Sequence, residues 1–164
     1  MKKWNEGHIH VAMRKVLKDR GWKLIAGEYP GGSDHELYPL NVVDPLLAKD
    51  GSPDARRHSL GELIPDLVAL KGRDLLIAEA KVSYNLADQK KLEYLLLQRR
   101  LDLITSLEIF ARRHNMIDVF PIATLRFHPV LVFVNTANAP VPEQNFSHLL
   151  IDSIFSGNFY GTLA

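Results

Sequence analysis

The sequence predicts an α/β (α+β) protein in which helices flank a central mixed β-sheet, with its elements in the order αβββαβ. Apolar residues recur at helical spacing near the start of the chain, and a long helical stretch follows later. Between them, two strand-like runs are joined by a glycine turn, as in a hairpin. The 164 residues suit a single domain, 1–164, with a long loop at about 33–59.

The composition narrows the class of protein. Hydrophobic residues make up 46% and charged residues 24% of the chain, which excludes disordered, collagen-like and coiled-coil proteins. The absence of cysteine excludes disulfide scaffolds, thiolate zinc sites, iron–sulfur clusters and cysteine nucleophiles. With 20 Lys and Arg against 19 Asp and Glu, any contact with nucleic acid must come from a local basic face or from a partner. No stretch resembles a signal peptide or a membrane helix, so a cytoplasmic location is expected.

The first elements are a helix and a strand. Apolar residues at helical spacing predict an amphipathic helix from Asn5 to Arg20, with the asparagine as its cap and Gly21 as its stop. The aromatic and β-branched run from Trp22 to Tyr29 predicts a strand that ends at a Pro-Gly-Gly turn. The loop that follows is long for a compact domain, and loops of that length are often functional. A short helix is expected within it, around residues 46–49.

Two neighbouring runs predict an antiparallel hairpin. Glu62 to Leu70 and Asp74 to Ser83 are both strand-like, and Gly72 between them can adopt the positive φ of a tight turn. Side chains alternate along a strand, so Glu79 and Lys81 are expected on one face at the end of the second strand. An acid and a base are therefore expected side by side.

The second half of the chain is predicted to form a helix, a strand and a terminal helical piece. Leucines at helical spacing predict a long helix from Leu86 to about Arg113. The segment from Val119 to Phe127 is ambiguous, whereas the β-branched run from Pro129 to Asn135 predicts a buried strand. The segment around Phe146 to Phe155 is expected to be helical.

The residues that point to chemistry are Asp66, which follows a proline on the first hairpin strand, and Glu79-Ala80-Lys81 on the second. Twelve residues separate Asp66 from Glu79, and a turn at Gly72 brings them close to opposite each other. Two carboxylates that converge in this way can bind one hard cation. With a lysine beside them, such a site suits phosphodiester hydrolysis, in which a metal neutralises the phosphate while a positioned water attacks.

The pattern Pro-Asp, then Glu-Ala-Lys, resembles the signature of the PD-(D/E)XK nuclease superfamily, and the predicted order of elements is similar to the core of that family. The resemblance implies a restriction-endonuclease-like fold and an Mg2+-dependent endodeoxyribonuclease, with Mn2+ as a substitute. It also implies that Asp66 and Glu79 are catalytic and bind the metal. The carbonyl of Ala80 would complete the metal's coordination, and Lys81 would orient or activate the attacking water.

Members of this family often carry an acidic residue on the first helix that faces the same site, and Glu6 is the matching catalytic candidate. His10 lies one turn later on the same face of that helix. Some members also have a Gln followed four residues later by Tyr. Here Gln89 is followed at that spacing by Glu93, which departs from the pattern. Gln89 remains a candidate for contact with the nucleic-acid backbone.

Basic residues near the hairpin are further candidates for contact with nucleic acid. Lys90 and Lys91, on the helix that follows the hairpin, could steer a phosphate. Arg56 and Arg57 lie in the long loop beside the hairpin and are candidate DNA contacts.

The expected function is a metal-dependent DNA endonuclease of restriction type that nicks double-stranded DNA together with a larger DNA-recognition subunit. The nuclease core uses nearly the whole chain, which leaves no separate module to read bases. In size and layout the chain looks similar to the small catalytic subunits of heterodimeric type IIS restriction endonucleases. A second copy of the chain could take the partner's place, and a repair or junction nuclease is an open alternative. Two others are a non-catalytic subunit of the same fold and an unrelated α/β binding domain whose exposed loop binds a protein. The alternative for Asp66, Glu79 and Lys81 themselves is a surface ion-pair cluster on a solvated face of the sheet.

Overall fold

The computed structural model describes residues 3–28, 37–42 and 64–164, which form a mixed α/β structure. Within these residues the α-helices are α1 (Glu6–Asp19), α2 (Leu86–Leu97) and α3 (Arg100–Arg113). The strands are β1 (Lys23–Gly27), β2 (Leu67–Lys71), β3 (Asp74–Ala80), β4 (Arg126–Val134), β5 (Ser147–Ser153) and β6 (Ser156–Gly161). Two short 3-10 helices, Ile117–Val119 and Ile122–Thr124, lie between α3 and β4.

The described strands form one sheet in their sequence order, from β1 to β6. β1, β2 and β3 are antiparallel neighbours. β4 is parallel to β3, β5 is parallel to β4, and β6 ends the sheet antiparallel to β5. Parallel neighbours need crossover connections, which α2 with α3 and the segment 135–146 provide. The sheet is therefore mixed, as the sequence predicts.

Helices cover both faces of this sheet. α1 packs its apolar stripe on one face, whereas α2 and α3 pack on the other. The alternation is clear in β3, where Leu75 and Ile77 join the core beneath α2 and α3, and Leu76 and Ala78 join the core beneath α1. Because both faces are covered, β3 is buried almost throughout. Among the helices that the structure describes, none combines the length and the apolar character needed to cross a membrane.

Helix α1 begins and ends as the sequence predicts. Asn5 is its cap, and the side-chain oxygen of Asn5 accepts a 2.9 Å hydrogen bond from the backbone N–H of His8. Gly21 follows the helix with a φ of 86°, a left-handed conformation that glycine adopts without strain. Glu6 is therefore the first residue of the helix and lies at the end that approaches the hairpin.

The β2–β3 hairpin confirms the predicted antiparallel pairing. Gly72 lies in its turn with a φ of 62°, and Leu67 is paired with Ala78 at the far end of the register. Asp66 directly precedes this pair, and its N–H also donates to the carbonyl of Ala78 at 3.1 Å. Asp66 therefore lies beside the last residues of β3, close to Glu79.

The predicted order αβββαβ is not matched, because the described elements run αβββααβββ. The helical stretch predicted from Leu86 to Arg113 is two helices, α2 and α3. At the end of α2, the carbonyl of Tyr94 accepts hydrogen bonds from the N–H groups of both Gln98 and Arg99. Gln98 thus bonds to the residue four positions before it and Arg99 to the residue five positions before it, and this change ends the helix. The helical spacing of the leucines continues across the break, so the sequence pattern does not show where α2 ends.

The segment Phe146–Phe155 is not helical but forms β5 and the turn into β6, so the prediction of a terminal helix is wrong. Leu149 and Ile151 are buried beneath α1, and Leu150 is buried on the opposite face. A strand that is buried on both faces lacks the usual alternation of polar and apolar residues. Its short apolar run therefore cannot be distinguished from a buried helix by periodicity.

The predicted loop at about 33–59 is described only in part. Residues 37–42 lie within the structure, and Leu40 and Val42 are buried in the core that contains α2 and α3. The expected short helix at 46–49 lies outside the described residues, and so do Arg56 and Arg57.

Candidate functional site

The candidate site lies where β2 begins and β3 ends. Asp66 is held by its backbone on both sides, because its N–H donates to Ala78 and its carbonyl accepts from the N–H of Glu28 at 2.9 Å. Its carboxylate oxygen Oδ2 accepts a 2.8 Å hydrogen bond from the N–H of Ala80. The backbone of β3 therefore fixes the direction of the Asp66 side chain.

Helix α1 adds Glu6 and His10 to the site, one helical turn apart. His10 is buried, and its Nε2 lies 3.7 Å from Oδ2 of Asp66. Glu6, His10 and Asp66 each offer one ligand atom, and these atoms lie within 4.8 Å of one another. Burial lowers the pKa of His10, although the charges of the two acids oppose the shift. Its imidazole is therefore neutral at neutral pH, the form that binds a metal.

Lys81 follows the last residue of β3 and reaches toward α1. Its Nζ lies 3.3 Å from Oε1 of Glu6, and both side chains are 41% exposed. Burial alone would lower the pKa of Lys81, but the hydrogen bond and charge of Glu6, with two nearby aspartates, raise it. Lys81 therefore stays protonated at neutral pH, in the form that donates hydrogen bonds to a phosphate or to a water.

Glu79 lies deeper, with 3% of its side chain exposed. Its Oε1 is 2.5 Å from Nζ of Lys91, which belongs to α2. Burial, followed by the negative charge of Asp66, raises the pKa of the Glu79 carboxyl well above its ordinary value, and Lys91 opposes that shift. Glu79 is thus paired with a lysine and is not one of the three grouped ligands, Glu6, His10 and Asp66.

Helix α2 contributes two further residues, Lys91 and Asp88; the sequence indicated Lys91 only as a phosphate contact and did not indicate Asp88. Lys91 precedes Leu92 and stands four residues before Leu95, and both leucines are fully buried. That spacing puts Lys91 at the border of the helix face that packs on the sheet, but it does not indicate which residue of β3 the lysine meets. Asp88, in the first turn of α2, is half-buried, and burial raises its pKa while the charge of Lys81 lowers it. It is a further acid within electrostatic reach of Lys81.

Gln89 and Lys90 differ in their surroundings on α2. Gln89 is buried, and its Oε1 accepts a 2.8 Å hydrogen bond from the hydroxyl of Tyr84. Its Nε2 donates to Oε1 of Glu93 at 3.2 Å. Lys90 is exposed. The amide of Gln89 is thus engaged by neighbouring side chains, and Lys90 is open to a ligand in solvent.

The donor set fits a divalent metal. Carboxylate oxygens from Asp66 and Glu6 are the hard ligands that suit Mg2+ and Mn2+, and the neutral nitrogen of His10 is a further ligand for a transition metal. In an extended strand, the N–H and C=O of one residue point to the same side. The carbonyl of Ala80 therefore faces the edge at which its N–H meets Asp66. Lys81 adds the positive charge that a phosphate group would require.

Comparison with known proteins adds no family assignment. No protein-family model matches this sequence, and no significant match was found among curated proteins or solved structures. The function is therefore inferred from the chain's own residues and their geometry.

Proposed function

We propose that this protein is a metal-dependent phosphodiesterase of the PD-(D/E)XK type that acts on DNA. One observation carries the proposal: acidic, imidazole and lysine side chains from distant parts of the chain meet at one end of the sheet, namely Glu6, His10, Asp66 and Lys81. Beneath them lies the buried carboxyl of Glu79. Surface ion-pair clusters are solvated, whereas His10 and Glu79 are buried, with 1% and 4% of the whole residue exposed, so a purely solvated cluster is disfavoured.

The geometry supports a distinct role for each group. Asp66, Glu6 and the carbonyl of Ala80 would hold Mg2+, which when bound neutralises the phosphate and makes a water nucleophilic at neutral pH. Asp66 is kept in place for this task by the N–H of Ala80. Lys81 is protonated and partly exposed, so it can donate a hydrogen bond to a phosphate oxygen or orient the attacking water. Glu79 is the other carboxyl of the Asp–Glu pair that the resemblance implies, and it would be a further ligand of the metal.

The topology also supports a nuclease of this type. Helix α1 precedes three antiparallel strands, β1 to β3, and α2 then leads by way of α3 to β4, which is parallel to β3. This succession is similar to the αβββαβ core that the resemblance implies. It differs by the additional helix α3 and by two further strands, β5 and β6.

We further propose that a partner protein recognises the DNA sequence. The net charge of +1 gives this chain little electrostatic affinity for DNA as a whole. On α2 and α3, Leu97 and Leu101 are each 79% exposed, and Tyr94 is exposed nearby. Large exposed apolar side chains close together favour contact with another protein. We expect a larger DNA-recognition subunit or a second copy of the chain there, and nicking of one strand by the complex.

Hydrolysis of bis(p-nitrophenyl) phosphate in the presence of Mn2+ tests the proposed chemistry without a partner or a recognition sequence. The wild type should release p-nitrophenolate, and Glu79→Gln should lower the rate by about 100-fold or more. Glu108→Gln alters a glutamate of α3 and should leave the rate unchanged. Full activity of Glu79→Gln would contradict the assignment. A wild type that binds Mn2+ but cleaves neither this diester nor plasmid DNA would favour the non-catalytic subunit.

A further inference from the structure

Lys91 contacts Glu79 of β3 and the segment that leads into β2 with one ammonium group. Its Nζ lies 2.5 Å from Oε1 of Glu79 and donates a 3.0 Å hydrogen bond to the carbonyl of Ile64. Ile64 stands two residues before Asp66. Lys91 therefore ties the chain that leads into Asp66 to the carboxylate on β3.

The burial of Glu79 explains why a cation is needed at this point. An ionised carboxylate in a protein interior pays a desolvation cost that only a close cation or hydrogen bonds offset. Asp66 adds like-charge repulsion to that cost. Within the described part of the chain, the ion pair formed by Glu79 is with Lys91. Lys91 thus supplies the counter-charge of Glu79 before any metal is bound.

A metal ligated by Glu79 would compete with Lys91 for the same oxygen. Divalent ions such as Mg2+ lie about 2 Å from their carboxylate oxygens, which is close to where the ammonium of Lys91 now lies. Two cations a few ångströms apart repel each other strongly, so they cannot share this oxygen at low cost. The side chain of Lys91 is 27% exposed and flexible, so its ammonium has a route to solvent.

We propose that Lys91 is a positioning residue that takes the place of the metal on Glu79 and is exchanged for the metal when the site is loaded. Before the metal binds, Lys91 holds the chain segments that carry Asp66 and Glu79 in register. The inference rests on the proposed function, because it takes Glu79 as a metal ligand.

Calorimetric titration with Mn2+ tests this exchange on the wild type, Lys91→Met and Lys91→Arg. Lys91→Met removes the competing charge and should bind Mn2+ on the order of tenfold more tightly than the wild type. Lys91→Arg keeps the charge and should not bind more tightly. The titrations are run at about pH 8, so that protonation of Glu79 competes less with the metal.

Thermal unfolding of the same samples gives a second readout. Without metal, Lys91→Met should melt at a lower temperature than the wild type, because it leaves Glu79 buried and unpaired. Mn2+ should then raise its melting temperature by more than it raises that of the wild type. Lys23→Met is the matched control, because it removes a lysine paired with Asp118 at 3.1 Å on the exposed surface. It should change neither the metal affinity nor the size of the metal-induced shift.

The outcomes separate this inference from the proposed function. Tighter binding by Lys91→Met, or recovery of its fold by Mn2+ if it does not fold alone, supports the exchange. Binding by the wild type with equal or weaker binding by a folded Lys91→Met overturns the exchange and leaves the proposed function standing. If no variant binds Mn2+, even with a short DNA duplex, the proposed function fails and the exchange fails with it.

Discussion

The backbone N–H of Ala80 donates a 2.8 Å hydrogen bond to Oδ2 of Asp66, so the last residue of β3 orients the acid that directly precedes β2. The same oxygen lies 3.7 Å from Nε2 of His10 on α1. A single carboxylate therefore joins the hairpin and the first helix. The position of the site consequently depends on the register of β2 with β3, which the turn at Gly72 helps to set.

Asp66→Asn should abolish metal binding while it preserves the fold. The amide oxygen of asparagine can still accept the hydrogen bond from Ala80, but the negative charge that attracts a divalent cation is lost. We expect the affinity for Mn2+ in a calorimetric titration to fall by about 100-fold or more. Asp118→Asn, which alters an exposed aspartate paired with Lys23, is the control and should bind Mn2+ as the wild type does. An unchanged affinity of Asp66→Asn would remove Asp66 from the ligand set.

Lys81→Ala should strongly reduce phosphodiester hydrolysis with little effect on stability. The Lys81 ammonium pairs with Glu6, but both side chains are 41% exposed, and such pairs contribute about 0–1 kcal/mol to the free energy of unfolding. Loss of a positioned cation at a phosphate should lower the cleavage rate by about 100-fold or more. The measurement is hydrolysis of bis(p-nitrophenyl) phosphate with Mn2+, beside a urea denaturation curve. Lys23→Ala removes another exposed ion pair and should leave the rate unchanged. Wild-type turnover by Lys81→Ala would exclude Lys81 from the mechanism.

The parts of the site that could be predicted from the sequence are those that local rules determine. The Asn5 cap and the stop at Gly21 set the bounds of α1, and hence place Glu6 in its first turn. The glycine of the hairpin turn sets the pairing of β2 with β3, which brings Asp66 to the end of β3. Both features depend on residues a few positions apart in the chain.

The parts that could not be predicted depend on how distant elements pack. The contact of Lys91 with Glu79 exists because α2 crosses β3 at one particular position, held by buried residues such as Leu92. Periodicity along the chain carries no information about that crossing. The strand β5 was predicted as a helix for a related reason, since Leu149 and Leu150 are buried on opposite faces by different helices.

Asp74→Asn should lower the stability of the folded state most clearly above pH 4. It should also reduce the loss of stability as the pH falls from about 4 to about 2. Hydrogen bonds from Arg126, followed by one from His128, lower the pKa of Asp74 from 3.8 to about 2, although burial opposes the shift. A folded-state pKa below the unfolded value contributes stability that is present above about pH 4 and is lost as the pH falls toward about 2. The melting temperature of the variant should therefore depend less on pH in that window.

Asp152→Asn is the control for this pH dependence. Asp152 is exposed, and its carboxylate accepts a 2.8 Å hydrogen bond from Asn135 rather than from a cation. Its variant should follow the wild-type melting curve between about pH 4 and pH 2. If the melting temperature of Asp74→Asn changed with pH in that window as much as that of the wild type, the ion pair with Arg126 would not stabilise the folded state.

Gly161→Ala should destabilise the protein more than Gly72→Ala, although both glycines have a positive φ, of 97° and 62° respectively. At Gly72 an added Cβ would meet no atom within 4 Å, so the cost is the left-handed backbone alone, about 1 kcal/mol. At Gly161 the Cβ would clash with the carbonyl of Phe146, because β6 pairs with β5 there. We expect a loss of about 2–4 kcal/mol in urea denaturation. Equal losses in the two variants would contradict the β5–β6 hairpin, the element that replaces the helix predicted at the end of the chain.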